Sequence, residues 1–139
     1  MRMRRAIIID DEPALANMLR RVLMRGMDFE VVDIAHDGPS AIPLLRAHGY
    51  ELAIVDTIMP DTDPVALLDA VICHPSSPAI LYYAPWRAEP LRRLAAGRAV
   101  EVCYPSPPSA LLEAVRVAYG LRPEVEAPDC RRGGVGADE

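Results

Sequence analysis

The stretch Ile-Ile-Ile-Asp-Asp-Glu-Pro, residues 7–13, decides the fold, because an apolar run ends in carboxylates just before a helix start. A second apolar run, residues 52–55, ends in Asp56. If both runs are neighbouring parallel strands, these acids meet, and like charges about 4 Å apart repel by ~4 kcal/mol per pair at an effective dielectric near 20. All 15 basic residues are arginines, so no lysine neutralises the acids. The sequence therefore predicts a divalent cation among Asp10, Asp11 and Asp56.

Composition limits the class of protein. The 139 residues are 51% hydrophobic and 25% charged, as in one ordinary globular domain. The net charge of -5 argues against a nucleic-acid or membrane surface, so proteins or small ligands are the expected partners. No apolar run approaches the ~20 residues of a membrane span. The three cysteines and three histidines lack metal-ligand spacing, so we expect a cytoplasmic protein with reduced thiols and with histidines on the surface or in loops.

Strand and helix patterns alternate along the chain. Predicted strands cover residues 7–9, 30–35, 52–55, 79–83 and 100–104, and predicted helices cover 13–26, 40–47, 65–72 and 90–96, with a last helix capped by Ser106 and beginning at Pro107. Pro43 lies inside the second helix and predicts a kink or a late start. Five such units imply an α/β fold, a parallel sheet covered on both faces. Ligands bind beyond the carboxyl ends of such strands.

The end of the chain differs in composition from the rest. From Leu121 onward it consists mainly of proline, glycine and charged residues. Such a segment cannot add much core. We therefore expect a folded domain over residues 1–120 and a flexible C-terminal tail over residues 121–139.

The acids, together with Met59-Pro60 and Asp63, resemble the receiver domain of two-component response regulators. The resemblance spans roughly residues 4–119. It implies a single doubly wound, flavodoxin-like (βα)5 domain with strand order 2-1-3-4-5. The paired acids, the later acid and the Met-Pro that follows it carry the resemblance together, since a pair of acids alone is a weak signal.

The resemblance also implies a role for each acid. Asp56 would accept a phosphoryl group from the phosphohistidine of a histidine kinase or phosphotransfer protein, or from acetyl phosphate. Asp10, Asp11 and Asp56 would hold Mg²⁺, with the backbone carbonyl of Ile58 as a further ligand. Mg²⁺ prefers such oxygen ligands and would neutralise charge during the transfer. We predict that at least one of these carboxylates has a raised pKa without the metal, and that Mg²⁺ lowers it.

Three switch positions depart from the receiver pattern. Tyr83 stands where receivers carry Thr or Ser, and Glu101 where they carry an aromatic residue. Tyr104 stands where they carry Lys, or Ser106 if the match is shifted, and neither match finds a lysine. A hydrogen bond to a charged group contributes ~1.5–3 kcal/mol, while inverting a 1:99 equilibrium takes ~5.5 kcal/mol. Either a tyrosine hydroxyl or Arg87 replaces the lost donor, or phosphorylation no longer switches the conformation in the usual way.

Structural explanations compete with each functional one. Asp10 or Asp11 could cap the helix that begins at Pro13, and Asp56 could cap its own loop. The tyrosines at the switch positions could simply pack against the fourth helix. Trp86, the one tryptophan, is either a docking anchor for a partner or partly buried under the neighbouring loop.

Three functions remain open on the sequence. The first is a stand-alone response regulator, not an enzyme beyond its own phosphorylation and dephosphorylation, which signals to a downstream protein. The second is a pseudo-receiver, a binding module controlled without phosphate. The third is a phosphatase of the haloacid dehalogenase type, although Ile58 stands where that group has its second acid. A homodimer is compatible with the first two.

Overall fold

The computed structural model of the chain describes residues 4–84, 88–103 and 107–123, which form five strands and five helices in alternation. The strands are β1 (Arg5–Ile9), β2 (Val31–Ala35), β3 (Leu52–Asp56), β4 (Ala79–Tyr83) and β5 (Val100–Val102). The helices are α1 (Pro13–Gly26), α2 (Gly38–Ala47), α3 (Pro64–Ile72), α4 (Glu89–Ala95) and α5 (Pro108–Gly120). Within these ranges, no helix has the length and apolar character needed to cross a membrane.

The strands form one parallel sheet in the order β2-β1-β3-β4-β5, which confirms the predicted fold. In the register of this sheet, Ile9 of β1 lies opposite Val55 of β3. Asp56 in turn lies opposite Tyr83 of β4. The carboxyl ends of β1 and β3 are therefore adjacent, at the point where the strand order reverses and ligands bind in such sheets.

Helices cover both faces of the sheet, and the strands are apolar on both sides as a result. Ile7 and Ile9 pack in the layer that contains α2, α3 and α4. Ile8 packs in the opposite layer, with α1 and α5. Successive residues of a strand point to opposite faces, so a run of three isoleucines suits a strand buried on both faces.

Four helices begin one or two residues away from the predicted start: α2, α3 and α4 begin earlier, and α5 begins later. Helix α2 begins at Gly38, because the carboxylate of Asp37 accepts a hydrogen bond from the backbone N–H of Ser40 at 2.7 Å. Of the two outcomes predicted from Pro43, a kink or a late start, the late start is therefore wrong. Helix α5 begins at Pro108, with Pro107 at the capping position, so Pro107 as first helical residue is also wrong. The predicted cap, Ser106, lies outside the described residues.

Contacts with the body of the domain continue past residue 120. The guanidinium of Arg122 donates to the backbone oxygen of Ser77 at 2.7 Å and to that of Ser76 at 3.2 Å. The first residues after α5 are therefore held against the β4 side of the domain. Residues 124–139 of the predicted tail lie outside the described residues, so the boundary between domain and tail stays a prediction.

Candidate functional site

The carboxyl ends of β1 and β3 bring three acids together. Asp10 follows β1, and its N–H donates to the backbone oxygen of Ala35 at 2.9 Å, which fixes it beside the end of β2. Asp10, Asp11 and Asp56 each present a carboxylate oxygen, and these three atoms lie within 4.8 Å of one another. Asp10 is only 1% exposed, whereas Asp11 is exposed and Asp56 is half-buried. The predicted clustering is confirmed.

Hydrogen bonds orient two of these carboxylates, and a buried oxygen of Asp10 accepts none from the part of the chain that the structure describes. Oδ1 of Asp10 accepts from the N–H of Glu12 at 2.8 Å, and Oδ1 of Asp56 accepts from the N–H of Ile58 at 2.9 Å. Oδ2 of Asp10 is buried and has no hydrogen-bond partner among the described residues. Such an oxygen is costly unless something coordinates it. Because the donors are carboxylates, the cluster could hold an oxygen-seeking ion such as Mg²⁺.

Burial raises the pKa of two of these acids. The pKa of Asp10 is raised to about 6, first because the side chain is buried, and further by the charges of Asp56 and Asp11. The N–H of Glu12 opposes that rise. Burial also raises the pKa of Asp56, against the N–H of Ile58. The predicted raised pKa is confirmed, but its main cause is burial rather than the repulsion that the sequence suggested.

The helix-capping explanation for the acids is only partly correct. Glu12, and neither Asp10 nor Asp11, caps α1, since its carboxylate accepts from the N–H of Ala14 at 3.4 Å. The expectation that Asp56 caps its own loop is confirmed by its bond to the Ile58 N–H. The helix therefore leaves the carboxylates of the acidic pair available to a ligand.

Tyr83 packs on the other side of the sheet from the one expected. It is 3% exposed and lies in the layer with α1 and α5, so packing against α4 is wrong for this tyrosine. Its backbone oxygen accepts from the hydroxyl of Thr57 at 2.6 Å and from the N–H of Thr57 at 3.2 Å. Thr57 therefore attaches the loop after Asp56 to β4, a role that no pattern in the sequence indicates. Three residues predicted to act in switching or docking lie outside the described residues: Trp86, Arg87 and Tyr104.

Glu101 of β5 forms an ion pair with Arg92 of α4. Nε and Nη2 of Arg92 donate to the two carboxylate oxygens of Glu101 at 2.7 and 2.9 Å. Both side chains line the cleft that also contains Asp56 and Ile58. We did not predict Arg92 from the sequence, although an acid in a short edge strand is a reason to look for a basic partner.

The histidines take no part in a metal site. Within the described part of the chain, the acid cluster is the one group of His, Cys, Asp and Glu side chains able to hold a metal. His74 lies in a loop as expected but is buried, and its ring bonds the backbone oxygen of Leu45 at 2.7 Å and the hydroxyl of Ser76 at 2.8 Å. These contacts indicate a structural role.

Comparisons with known proteins agree with the fold. The family model described as response regulator receiver domain matches residues 6–103. The transcriptional regulatory protein TrcR of Mycobacterium tuberculosis is 37% identical over 68 residues, which are 48% of this chain and 25% of that protein. A protein-glutamate methylesterase/protein-glutamine glutaminase of Burkholderia lata is 39% identical over 59 residues, 42% of this chain and 17% of that protein. This chain thus spans a quarter or less of the length of these two relatives.

Solved structures show the same architecture. A response regulator receiver domain protein (CheY-like) from Methanospirillum hungatei JF-1 superposes with a TM-score of 0.72 at 21% identity, covering 86% of this chain and 95% of that one. The chemotaxis response regulator CheY4 of Vibrio cholerae superposes with a TM-score of 0.68 at 20% identity, covering 84% and 99%. At these identities the likeness shows the fold alone.

Proposed function

This chain belongs to the response regulator receiver domain family, and from that premise we propose that it accepts a phosphoryl group on Asp56 and signals through protein contacts. One observation carries the proposal: carboxylate oxygens of Asp10, Asp11 and Asp56 lie within 4.8 Å of one another at the ends of adjacent strands. Phosphoryl acceptance is the general activity of the family. Its assignment to Asp56 is the specific step proposed.

The proposed reaction is a displacement at phosphorus. A carboxylate oxygen of Asp56 attacks the phosphorus of a phosphohistidine, the P–N bond breaks, and its electron pair returns to the imidazole. With acetyl phosphate, the P–O bond breaks and acetate leaves. The N–H of Ile58 donates to Oδ1 of Asp56 and so restricts the orientation of the carboxylate. Positioning of this kind is most of what phosphoryl transfer requires of a protein.

The metal ligands in this proposal are the three acids and the backbone carbonyl of Ile58. The buried, unbonded Oδ2 of Asp10 supports a cation here. When bound, Mg²⁺ supplies positive charge that offsets the charge of the phosphoryl oxygens. The proposed partners are a histidine kinase or phosphotransfer protein and a downstream protein, in the cytoplasm, with Trp86 as a contact.

A second candidate is a pseudo-receiver that binds partners without phosphate. The ion pair between Glu101 and Arg92 favours it, because a charged pair stands where receivers carry a rotating aromatic residue. A phosphatase has less support, since the exposed Ile58 offers no second acid.

Intact mass spectrometry after incubation with acetyl phosphate and Mg²⁺ separates these functions. We expect one phosphoryl adduct in the wild type, none in Asp56→Asn, and none when EDTA removes the metal. Asp61→Asn is the matched control, because Asp61 is an exposed acid of the same loop with a positive φ that Asn tolerates. Absence of an adduct from any donor, with no Mg²⁺ binding, would favour the pseudo-receiver. Steady release of phosphate would favour the enzyme.

A further inference from the structure

One cleft is lined both by two acids of the cluster, Asp11 and Asp56, and by the ion pair between α4 and β5. Its charged lining residues within the described ranges are four acids and one base: Asp11, Glu12, Asp56, Glu101 and Arg92. The chain contains no lysine, so no lysine ammonium adds positive charge to the cleft. A group that brings more negative charge into this cleft therefore acts most directly on Arg92.

The guanidinium of Arg92 has a shape that can bind phosphoryl oxygens in place of the Glu101 carboxylate. Its guanidinium already forms a two-point contact with a carboxylate, that of Glu101. The same planar fork fits phosphoryl oxygens equally well. The two side chains are 39% and 32% exposed, so solvent weakens the existing pair. The pair is held by two hydrogen bonds but is open to solvent, so a stronger anion in the cleft can compete with Glu101 for Arg92.

Phosphorylation supplies that stronger anion. A phosphoryl group carries up to two negative charges and three acceptor oxygens, whereas the carboxylate it modifies carries one charge. We infer that Arg92 moves from Glu101 to the phosphoryl oxygens on Asp56, stabilises the phosphorylated form, and so couples α4 to the state of the site. This inference rests on the proposed function of Asp56.

Other arginines of the described ranges lack this combination. Arg93 is the neighbour on α4, but it is exposed and does not line the cleft. Arg98 is buried and donates to the backbone oxygen of Pro78 at 3.0 Å. Arg93 is therefore a control on the same helix with the same charge.

The test compares Arg92→Gln, Glu101→Gln and Arg93→Gln by mass spectrometry, with acetyl phosphate and Mg²⁺. The readouts are the rate of adduct formation and the lifetime of the adduct after the donor is removed. We expect Arg92→Gln to shorten the lifetime about tenfold, equivalent to about 1.4 kcal/mol. Glu101→Gln should lengthen it, because Arg92 is then released to the phosphoryl group. Arg93→Gln should match the wild type.

Opposite signs for the two substitutions distinguish this inference from a purely structural ion pair. A structural pair would be broken by either change, and both would shift the lifetime in the same direction, which overturns the inference. An adduct in the wild type with an unchanged lifetime in Arg92→Gln also overturns it and leaves the role of Asp56 intact. No adduct in the wild type overturns both. If Arg92→Gln does not fold by circular dichroism, the longer lifetime expected of Glu101→Gln decides the question.

Discussion

Asp10 combines nearly complete burial with an acidic side chain, and this combination has a consequence for stability. Its pKa is raised from 3.8 to about 6 in the folded protein. The folded state therefore binds the proton more tightly than the unfolded state. The free energy of unfolding falls as the pH rises from about 4 to about 6, and at pH 7 the cost is roughly 3 kcal/mol.

Asp10→Asn should stabilise the metal-free protein at pH 7. Asn keeps an oxygen for the N–H of Glu12 and removes the buried charge, so the free energy of unfolding should rise by about 1–3 kcal/mol and lose its fall between pH 4 and 6. Urea unfolding at pH 5 and pH 7 measures both effects. Asp28→Asn, at an exposed position with a positive φ of 61°, is the control. An Asp10→Asn protein no more stable than the wild type at pH 7 would contradict this explanation.

Binding of Mg²⁺ should offset the loss of stability that the buried charge of Asp10 causes. At a concentration 100 times its Kd, the ion should raise the free energy of unfolding at pH 7 by about 2.7 kcal/mol. It should also lower the pKa of the Asp10 carboxyl in an NMR titration. Asp10→Asn should lose most of the stabilisation, while Asp28→Asn keeps it. Identical titration curves with and without Mg²⁺ would exclude the site.

Among individual residues, the sequence predicted the positions of those that lie at the ends of strands. Asp10 and Asp56 directly follow or end apolar runs, so their proximity followed from parallel pairing alone. Arg92 and Thr57 were missed because their partners are set by tertiary packing, which leaves no local pattern. The layer of Tyr83 follows from the register of β4, in which Tyr83 lies opposite Asp56 and so shares its side of the sheet.

Among the elements, α3 depends on a single capping side chain. The carboxylate of Asp63 accepts from the N–H groups of Val65 at 3.0 Å and Ala66 at 3.3 Å. Asp63→Ala should lower the free energy of unfolding by about 1 kcal/mol, whereas Asp63→Asn should cost much less because Asn also caps helices well. Chemical denaturation of the two variants measures the difference. Equal losses would show that the charge, rather than the cap, matters there.

The sequence predicted which strands and helices exist, but it predicted the first residue of each helix less well. Each predicted strand and helix is present, because apolar runs and helical spacing dominate over long segments. The errors in the starts of α2, α3, α4 and α5 amount to one or two residues. They arise because a side chain such as that of Asp37 decides which residue begins a helix, and several nearby residues were able to cap.

For the whole molecule, the two-layered core predicts that neighbouring residues of β1 are equally intolerant of truncation. Ile7 and Ile8 are both 0% exposed and lie in opposite layers. Ile7→Ala and Ile8→Ala should each cost about 2–5 kcal/mol. Val117→Ala, at a 47% exposed position, should cost under about 1 kcal/mol. A large loss from only one of the two isoleucines would contradict a sheet covered on both faces.

The most direct test of the proposed function identifies the residue that carries the phosphoryl group. The protein is incubated with acetyl phosphate and Mg²⁺, the acyl phosphate is reduced with borohydride, and the modified residue is located by peptide mass spectrometry. We expect modification at Asp56 alone, dependent on Mg²⁺ and absent in Asp56→Asn. Modification at a different residue, or at none, would contradict the proposal that residues 10, 11 and 56 form a phosphoacceptor site.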